Sequence, residues 1–241
     1  VIWTWTDAQR TAFLSSHRLL CTATHAGPGL YGAPTGRRLT YRILADCYCA
    51  GDQVRDEWLV RDQSAIVAQM GADLVGWTRD LIAREGGPDA CVPPFVPARD
   101  LPGPYAGSGD DDPWGEELAG LLAAIMDADF AVIPRAYDRA AELHYPGHQT
   151  AHGHGGADAF WLGLRAAFPD ATFRVHHRIG RTDPQMPPRA ALRWSLDGRH
   201  AGWGRFGAPT AAPVHVMGIT HAEFGPDGLR REWTLIDETA I

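Results

Sequence analysis

The sequence contains no lysine and no asparagine; all 22 of its basic residues are arginine. Without lysine there is no Schiff-base chemistry, no pyridoxal-phosphate attachment and no lysine-bearing phosphate loop. Without asparagine there is no N-glycosylation acceptor and no asparagine oxyanion donor. No apolar run approaches the roughly 20 residues that a membrane-spanning helix needs, so no membrane association is expected. Cysteine is scarce, and Cys21, Cys47, Cys49 and Cys91 show no C-x-x-C spacing. Neither zinc nor a disulfide framework is expected from them, and the simplest setting is a reducing cytoplasm. A net charge of -7, with the arginines scattered apart from pairs such as Arg37-Arg38 and Arg230-Arg231, offers no track for a phosphate backbone and excludes nucleic acid as a natural partner. The nucleophile and cofactor signatures G-x-S-x-G, H-E-x-x-H and a helix-opening G-x-G-x-x-G are also missing.

What is present is enough apolar material for a core: 45% hydrophobic and 10% aromatic residues in 241 positions, the length of one or two domains. Sliding the chain against itself shows a gap-free repeat at an offset of 175 residues. His25-Ala26-Gly27-Pro28-Gly29 recurs as His200-Ala201-Gly202-Trp203-Gly204, and Gly32-Ala33-Pro34-Thr35 as Gly207-Ala208-Pro209-Thr210. Arg55, Glu57, Trp58, Asp62, Ala65 and Ile66 match Arg230, Glu232, Trp233, Asp237, Ala240 and Ile241. Fifteen of 42 aligned positions are identical from His25 and His200 onward, which reads as two tandem copies of one domain.

The second copy has a helical half and a strand half. Asp112 and Pro113 supply a cap and a first helical position, followed by Leu118, Leu121, Leu122, Ile125 and Met126 at helical spacing. A short helix is expected over 135–143, and a third opens at Asp158 with Phe160, Trp161, Leu164 and Phe168 on one face. Strand patterns follow near 172–179, 190–196, 214–224 and 229–236. The first copy begins at the position equivalent to His176, so residues 114–175 have no counterpart in it, and it continues into a helix expected over 73–84. The expected organisation is a partial repeat over 1–85, a Gly/Pro-rich linker over 86–112 and a near-complete repeat over 113–241. The fold class is α+β, with helices preceding a strongly bent antiparallel sheet and the first copy lacking its helical half.

Several motifs together resemble the SnoaL-like polyketide cyclase family, within the nuclear transport factor 2-like superfamily of cone-shaped α+β folds. In the second copy these are Gly156-Ala157-Asp158-Ala159-Phe160, Ala167-Phe168-Pro169-Asp170, Asp197 to Gly202, Phe206 to Thr210, Glu232-Trp233 and Asp237. In the first they are Ser15-Ser16-His17-Arg18, Tyr31 to Arg37 and Glu57 to Asp62. The resemblance implies a cone holding a small hydrophobic molecule, in a superfamily of cyclases, isomerases, dehydratases, epoxide hydrolases and non-catalytic binding modules. It also implies Asp237 as the base that removes a proton beside a carbonyl.

By strand parity Arg231, Trp233, Leu235 and Asp237 share one side, so Trp233 and the Asp237 carboxylate are expected to face one cavity. Apolar surroundings would raise the pKa of Asp237 and make it a general base. His215 and His221, on one face of the preceding strand, are the expected donors to an enolate, with His221 catalytic and His215 binding substrate beside Trp233. The alternative for Asp237 is a cap or ion-pairing residue at a strand end, and for Trp233 a pocket wall. Thr40 and Asp46 stand in the first copy where the second has His215 and His221, which favours a structural role for that copy as an intrachain pseudo-dimer partner; a homodimer is the other arrangement expected.

The loop holding His144, His148, His152 and His154 has metal-like density of imidazoles. Pro146, Gly147 and Gly153 interrupt any helix that would align them, so no metal is expected there, and His152 is assigned to the pocket mouth. Two readings follow: a cofactor-independent acid/base enzyme acting on a hydrophobic carbonyl compound, or a non-catalytic binding or scaffold module of the same fold.

Overall fold

The computed structural model describes residues 1–96 and 103–241. Part of the linker region, 97–102, therefore lies outside the described residues. Two sheets dominate. The first has four antiparallel strands in sequential order: β1 (Ile2–Trp5), β2 (Ala12–Thr24), β3 (Arg38–Ala50) and β4 (Gln53–Arg61). It is followed by α1 (Gln63–Gln69) and α2 (Leu74–Arg84), the latter capped by Asp73.

The remaining helices and strands form a curved α+β layer. Helix α3 (Pro113–Met126) starts as its sequence dictates, with the Asp112 carboxylate accepting the Trp114 N–H at 3.0 Å and Pro113 at the first turn. Its Leu118, Leu122 and Ile125 are fully buried. A short α4 (Ile133–Ala136) leads into β5 (Tyr137–Tyr145) and β6 (Gln149–His152), then α5 (Gly153–Ala167). Strands β7 (Thr172–Arg181), β8 (Arg189–Arg199), β9 (Pro213–Gly225) and β10 (Gly228–Ile236) complete a six-stranded sheet ordered β6-β5-β10-β9-β8-β7.

Two sequence expectations are corrected here. Residues 135–143 are mostly strand β5, not a helix, because Tyr137, Ala141, Leu143 and Tyr145 go inward at even spacing and Pro134 confines helix to one turn. Helix α5 begins at Gly153 rather than Asp158, so His154 lies in its first turn and not in a loop. The second sheet is also mixed, since β5 runs parallel to β10.

The inner face of the second sheet packs on α3 and α5 through Trp161, Trp194, Phe168, Leu164 and Leu122, each essentially without exposure. At roughly 25 cal/mol per Å² of apolar area, such large side chains dominate the stabilisation of the cone. Gly218 on β9 is required by one of them, because any Cβ there would overlap the Trp194 ring. In the first sheet the corresponding face, with Trp5 and Leu19, is 39% and 44% exposed at those residues.

The 175-residue offset has a geometric expression. Strands β3 and β9, and β4 and β10, have bounds that differ by that offset. His25 Nδ1 lies 3.1 Å from Thr35 Oγ1 and His200 Nδ1 lies 3.3 Å from Thr210 Oγ1, each ring pinning an equivalent Gly-rich loop. The two sheets meet outer face to outer face through Leu44, Val60, Ile219 and Leu235. Leu44 and Ile219 are one offset apart, as are Val60 and Leu235.

Candidate functional site

Parity correctly groups the residues expected in the site, but the face they share is the one against the first sheet. Trp233 stacks on His144, with centroids 5.2 Å apart and planes at 20°, and lies beneath the Arg18 guanidinium. His221 is fully buried, its Nε2 2.7 Å from Ser16 Oγ, and Ser16 in turn donates to Asp46. Burial holds the His221 pKa well below the ordinary value, so the ring is neutral and its Nε2–H is committed to Ser16. His177 Nδ1 approaches the other oxygen of Asp46 at 3.3 Å. This cluster ties the sheets together without facing the cone.

His215 Nδ1 sits 2.6 Å from Asp197, beside Phe95. Asp237 caps the final turn at 238–240, accepting the Thr239 N–H at 3.0 Å and the Thr239 hydroxyl at 2.7 Å. Its pKa is raised by burial, as a base would need, yet its neighbours are Asp62 and Tyr31 of the first sheet's side. His152 is exposed at the start of α5 and makes no cap bond. The structure therefore does not bring Asp237, His221, His215, Trp233 and His152 into one cavity. The correction has a simple cause: strand alternation fixes which residues share a face, but a sheet covered on both sides has two buried faces.

The other face of β10 carries a carboxylate that the sequence reading named only as part of a motif. Glu232 and Thr234 point into the cone and have no exposure. Tyr137 donates its hydroxyl to Glu232 Oε2 at 2.6 Å, and Tyr145 reaches the same oxygen at 3.4 Å. Thr234 donates to Oε1 at 2.6 Å. The chain of donors extends in both directions, with Trp161 Nε1 to the Tyr137 hydroxyl at 3.2 Å and Trp194 Nε1 to Thr220 at 3.0 Å, which meets Thr234 at 2.9 Å. Two tyrosines and one threonine thus converge on one carboxyl group, backed by Trp161, Thr220 and Trp194.

Burial raises the Glu232 pKa, opposed by the hydrogen bonds from Thr234, Tyr137, Trp161 and Tyr145. Burial also pushes the Tyr137 and Tyr145 hydroxyls well above their usual range, with the Glu232 charge adding to it, so both remain protonated donors. A carboxyl group with a raised pKa beside two phenols can exchange a proton and stabilise an oxyanion. A sequence signal existed: Tyr137 and Tyr145, an even number of positions apart, would face Glu232 once 137–145 is read as a strand.

Apart from Thr234, this arrangement lies within residues 118–233, the stretch that matches the family model described as a SnoaL-like domain. The chain carries a SnoaL-like domain. Solved structures similar to part of this chain include wild-type IdmH from Streptomyces antibioticus, at 20% identity, covering 53% of this chain and 94% of that one with a TM-score of 0.45. A SnoaL-like polyketide cyclase from Agrobacterium tumefaciens aligns at 18% identity over 53% of this chain and 93% of its own, TM-score 0.39. AclR from Streptomyces galilaeus aligns at 18% identity over 53% and 78%, TM-score 0.42. No curated protein matches the chain.

The histidines around the SnoaL-like domain's β5–β6 turn diverge. His144 Nε2 lies 3.0 Å from Glu142, and His154 Nε2 bonds the Tyr137 carbonyl at 3.0 Å. Among the described residues no group of three or more His, Cys, Asp or Glu side chains is placed to hold a metal ion, and no helix is long and apolar enough to cross a membrane.

Proposed function

We propose that the SnoaL-like domain is a cofactor-independent acid/base site for a hydrophobic, carbonyl-containing small molecule, with Glu232 as the proton-transfer group. The observation that supports this most strongly is the convergence of Tyr137, Tyr145 and Thr234 on a fully buried carboxyl group whose pKa is raised. In this reading the ionised Glu232 takes a proton from the carbon beside a carbonyl: the C–H bond breaks and an O–H bond forms on the carboxylate. The Tyr137 hydroxyl turns from Glu232 to the enolate oxygen. The enolate carbon bonds to a second carbonyl carbon of the same molecule, and Glu232 returns its proton to the alkoxide. Burial favours the neutral carboxylic acid that exists between these steps.

We propose further that 1–85 and 113–241 are two copies of one domain joined by 86–112, the first serving as an intrachain counterpart of a dimer partner. The matching strand bounds and the paired interface residues support it. The four free cysteines suit the expected cytoplasmic setting.

A second reading, a non-catalytic scaffold, is favoured by one observation: Tyr145 stacks on Phe160 with centroids 3.9 Å apart, and both rings are buried. Crystals soaked with an aromatic β-diketone discriminate the two. Ligand density within hydrogen-bond reach of Glu232 and Tyr137 supports the acid/base reading; a cone that stays filled by Tyr145 and Phe160 at saturating ligand supports the scaffold.

A further inference from the structure

The turn between β5 and β6 docks on the side chain of Asp62, which follows β4 and caps α1. Asp62 is completely buried. Its Oδ1 accepts the Ala65 N–H at 3.1 Å and the Ser64 hydroxyl at 3.1 Å, which caps α1. The same carboxylate accepts the Gly147 N–H at 2.8 Å and the His148 N–H at 2.9 Å, from a segment 85 and 86 residues away. Two consecutive backbone donors on one carboxylate form a short, charge-assisted clamp. The clamp holds a turn in which His148, unlike its neighbour Gly147, pays for a left-handed backbone, with φ of 57°. A histidine in that region costs on the order of 1 kcal/mol and needs support from its surroundings.

Arg42 of β3 holds the same turn from the side. Its guanidinium lies 3.0 Å from His144 Nδ1 and 3.4 Å from the Gln149 carbonyl. Between His144 and Gly147 sits Tyr145, whose hydroxyl meets Glu232 at 3.4 Å, the long end of a hydrogen bond. Tyr137, anchored inside the cone, meets the same oxygen at 2.6 Å. The longer contact is the one that a small displacement of the turn would break.

The offset supplies an internal control. Asp237 occupies the position equivalent to Asp62 and also caps a turn, but its hydrogen-bond partners among the described residues are the backbone and hydroxyl of Thr239. Capping therefore does not require the second pair of donors, and the clamp on 147–148 is a separate task.

We propose that Asp62 is a positioning residue for the Glu232 site: by fixing the Gly147-His148 turn it sets the distance from Tyr145 to Glu232, so the first repeat controls the geometry of the second repeat's cone. The inference rests on the reading of Glu232 as the proton-transfer group.

The test is an NMR titration of the ¹³C-labelled Glu232 carboxyl in the full chain, comparing wild type, Asp62→Ser and Asp237→Ser. Serine keeps a helix cap but is too short to reach the turn. Loss of the Tyr145 hydrogen bond removes stabilisation of the charged form, so the Glu232 midpoint rises in Asp62→Ser by about half a pH unit and stays put in Asp237→Ser. An elevated wild-type midpoint that is the same in Asp62→Ser overturns the positioning role and leaves the acid/base reading standing. A wild-type midpoint in the ordinary glutamate range overturns the acid/base reading itself. If Asp62→Ser does not fold, Arg42→Gln, which releases the other hold on the turn, is compared instead: an upward shift supports the inference and an unchanged midpoint overturns it.

Discussion

The Arg18 guanidinium lies 3.4 Å from the centre of the Trp233 ring, and one offset along the chain Arg193 lies 4.4 Å from the centre of Trp58. The two pairs are related as two contacts of a symmetric dimer would be, but both occur within one polypeptide. They place each sheet's tryptophan under an arginine from the other, which makes Trp233 an interface residue.

Arg18→Met and Arg193→Met are each expected to lower stability by about 1 kcal/mol, the usual worth of a partly desolvated cation–π contact. A double-mutant cycle between Arg18→Met and Trp233→Leu, followed by urea denaturation, should show a coupling of about 0.5–1 kcal/mol. Strict additivity would mean that the stacked geometry contributes nothing.

Much of this was legible in advance. Asp112-Pro113, the spacing of Leu118 to Met126 and the alternation on β7 to β10 mark elements that local chemistry alone determines. The offset of 175 residues was legible too, and residues one offset apart, Leu44 with Ile219 and Val60 with Leu235, share the cluster between the sheets. What was not legible was the face of β10 that turns inward. Arg231, Trp233, Leu235 and Asp237 on one side and Glu232, Thr234 and Ile236 on the other are both compatible with burial, and only the contact between sheets decides. A helix over 135–143 followed by a loop from His144 separates Tyr137 from Tyr145, whereas the strand Tyr137–Tyr145 points both at Glu232.

The pH dependence of stability follows from the direction of the Glu232 shift. Its folded pKa is raised, so the native chain holds a proton that the unfolded chain has released. Its contribution is present at low pH and is lost as pH rises from the ordinary glutamate value, about 4.3, through the folded value. Glu232→Gln should remove that loss. Urea midpoints measured from about pH 4 to pH 7 should fall less steeply in the variant than in wild type.

A half-buried histidine acts in the opposite sense. His176, 2.8 Å from Ser195 through its Nε2, has its pKa lowered to about 4, first by burial and then by Arg193 and two neighbouring histidines. The unfolded chain takes up this proton first, so stability is lost as pH falls from about 6.5 towards 4. His176→Gln should reduce the acid loss by on the order of 1 kcal/mol after screening of a part-exposed ring is allowed for. Equal acid sensitivity in the variant would contradict the assignment.

Two glycines should respond to alanine with opposite signs. Gly218 has the Trp194 ring where a Cβ would go, and Gly218→Ala should cost about 1–3 kcal/mol by overpacking. Gly120, inside α3, has open space at the same position, and Gly120→Ala should stabilise by about 0.5–1 kcal/mol. Thermal denaturation of the two variants checks both signs.

The central claim is that Glu232, facing the cone, is the proton-transfer group and that Asp237, facing the first sheet, is not. Exchange of the acidic C–H protons of an aromatic β-diketone with deuterated water, followed by NMR, tests it directly. Wild type and Asp237→Asn should accelerate exchange equally, while Glu232→Gln should lose at least about 100-fold, the usual contribution of a general base. Full activity in Glu232→Gln, or its loss in Asp237→Asn alone, would contradict the account.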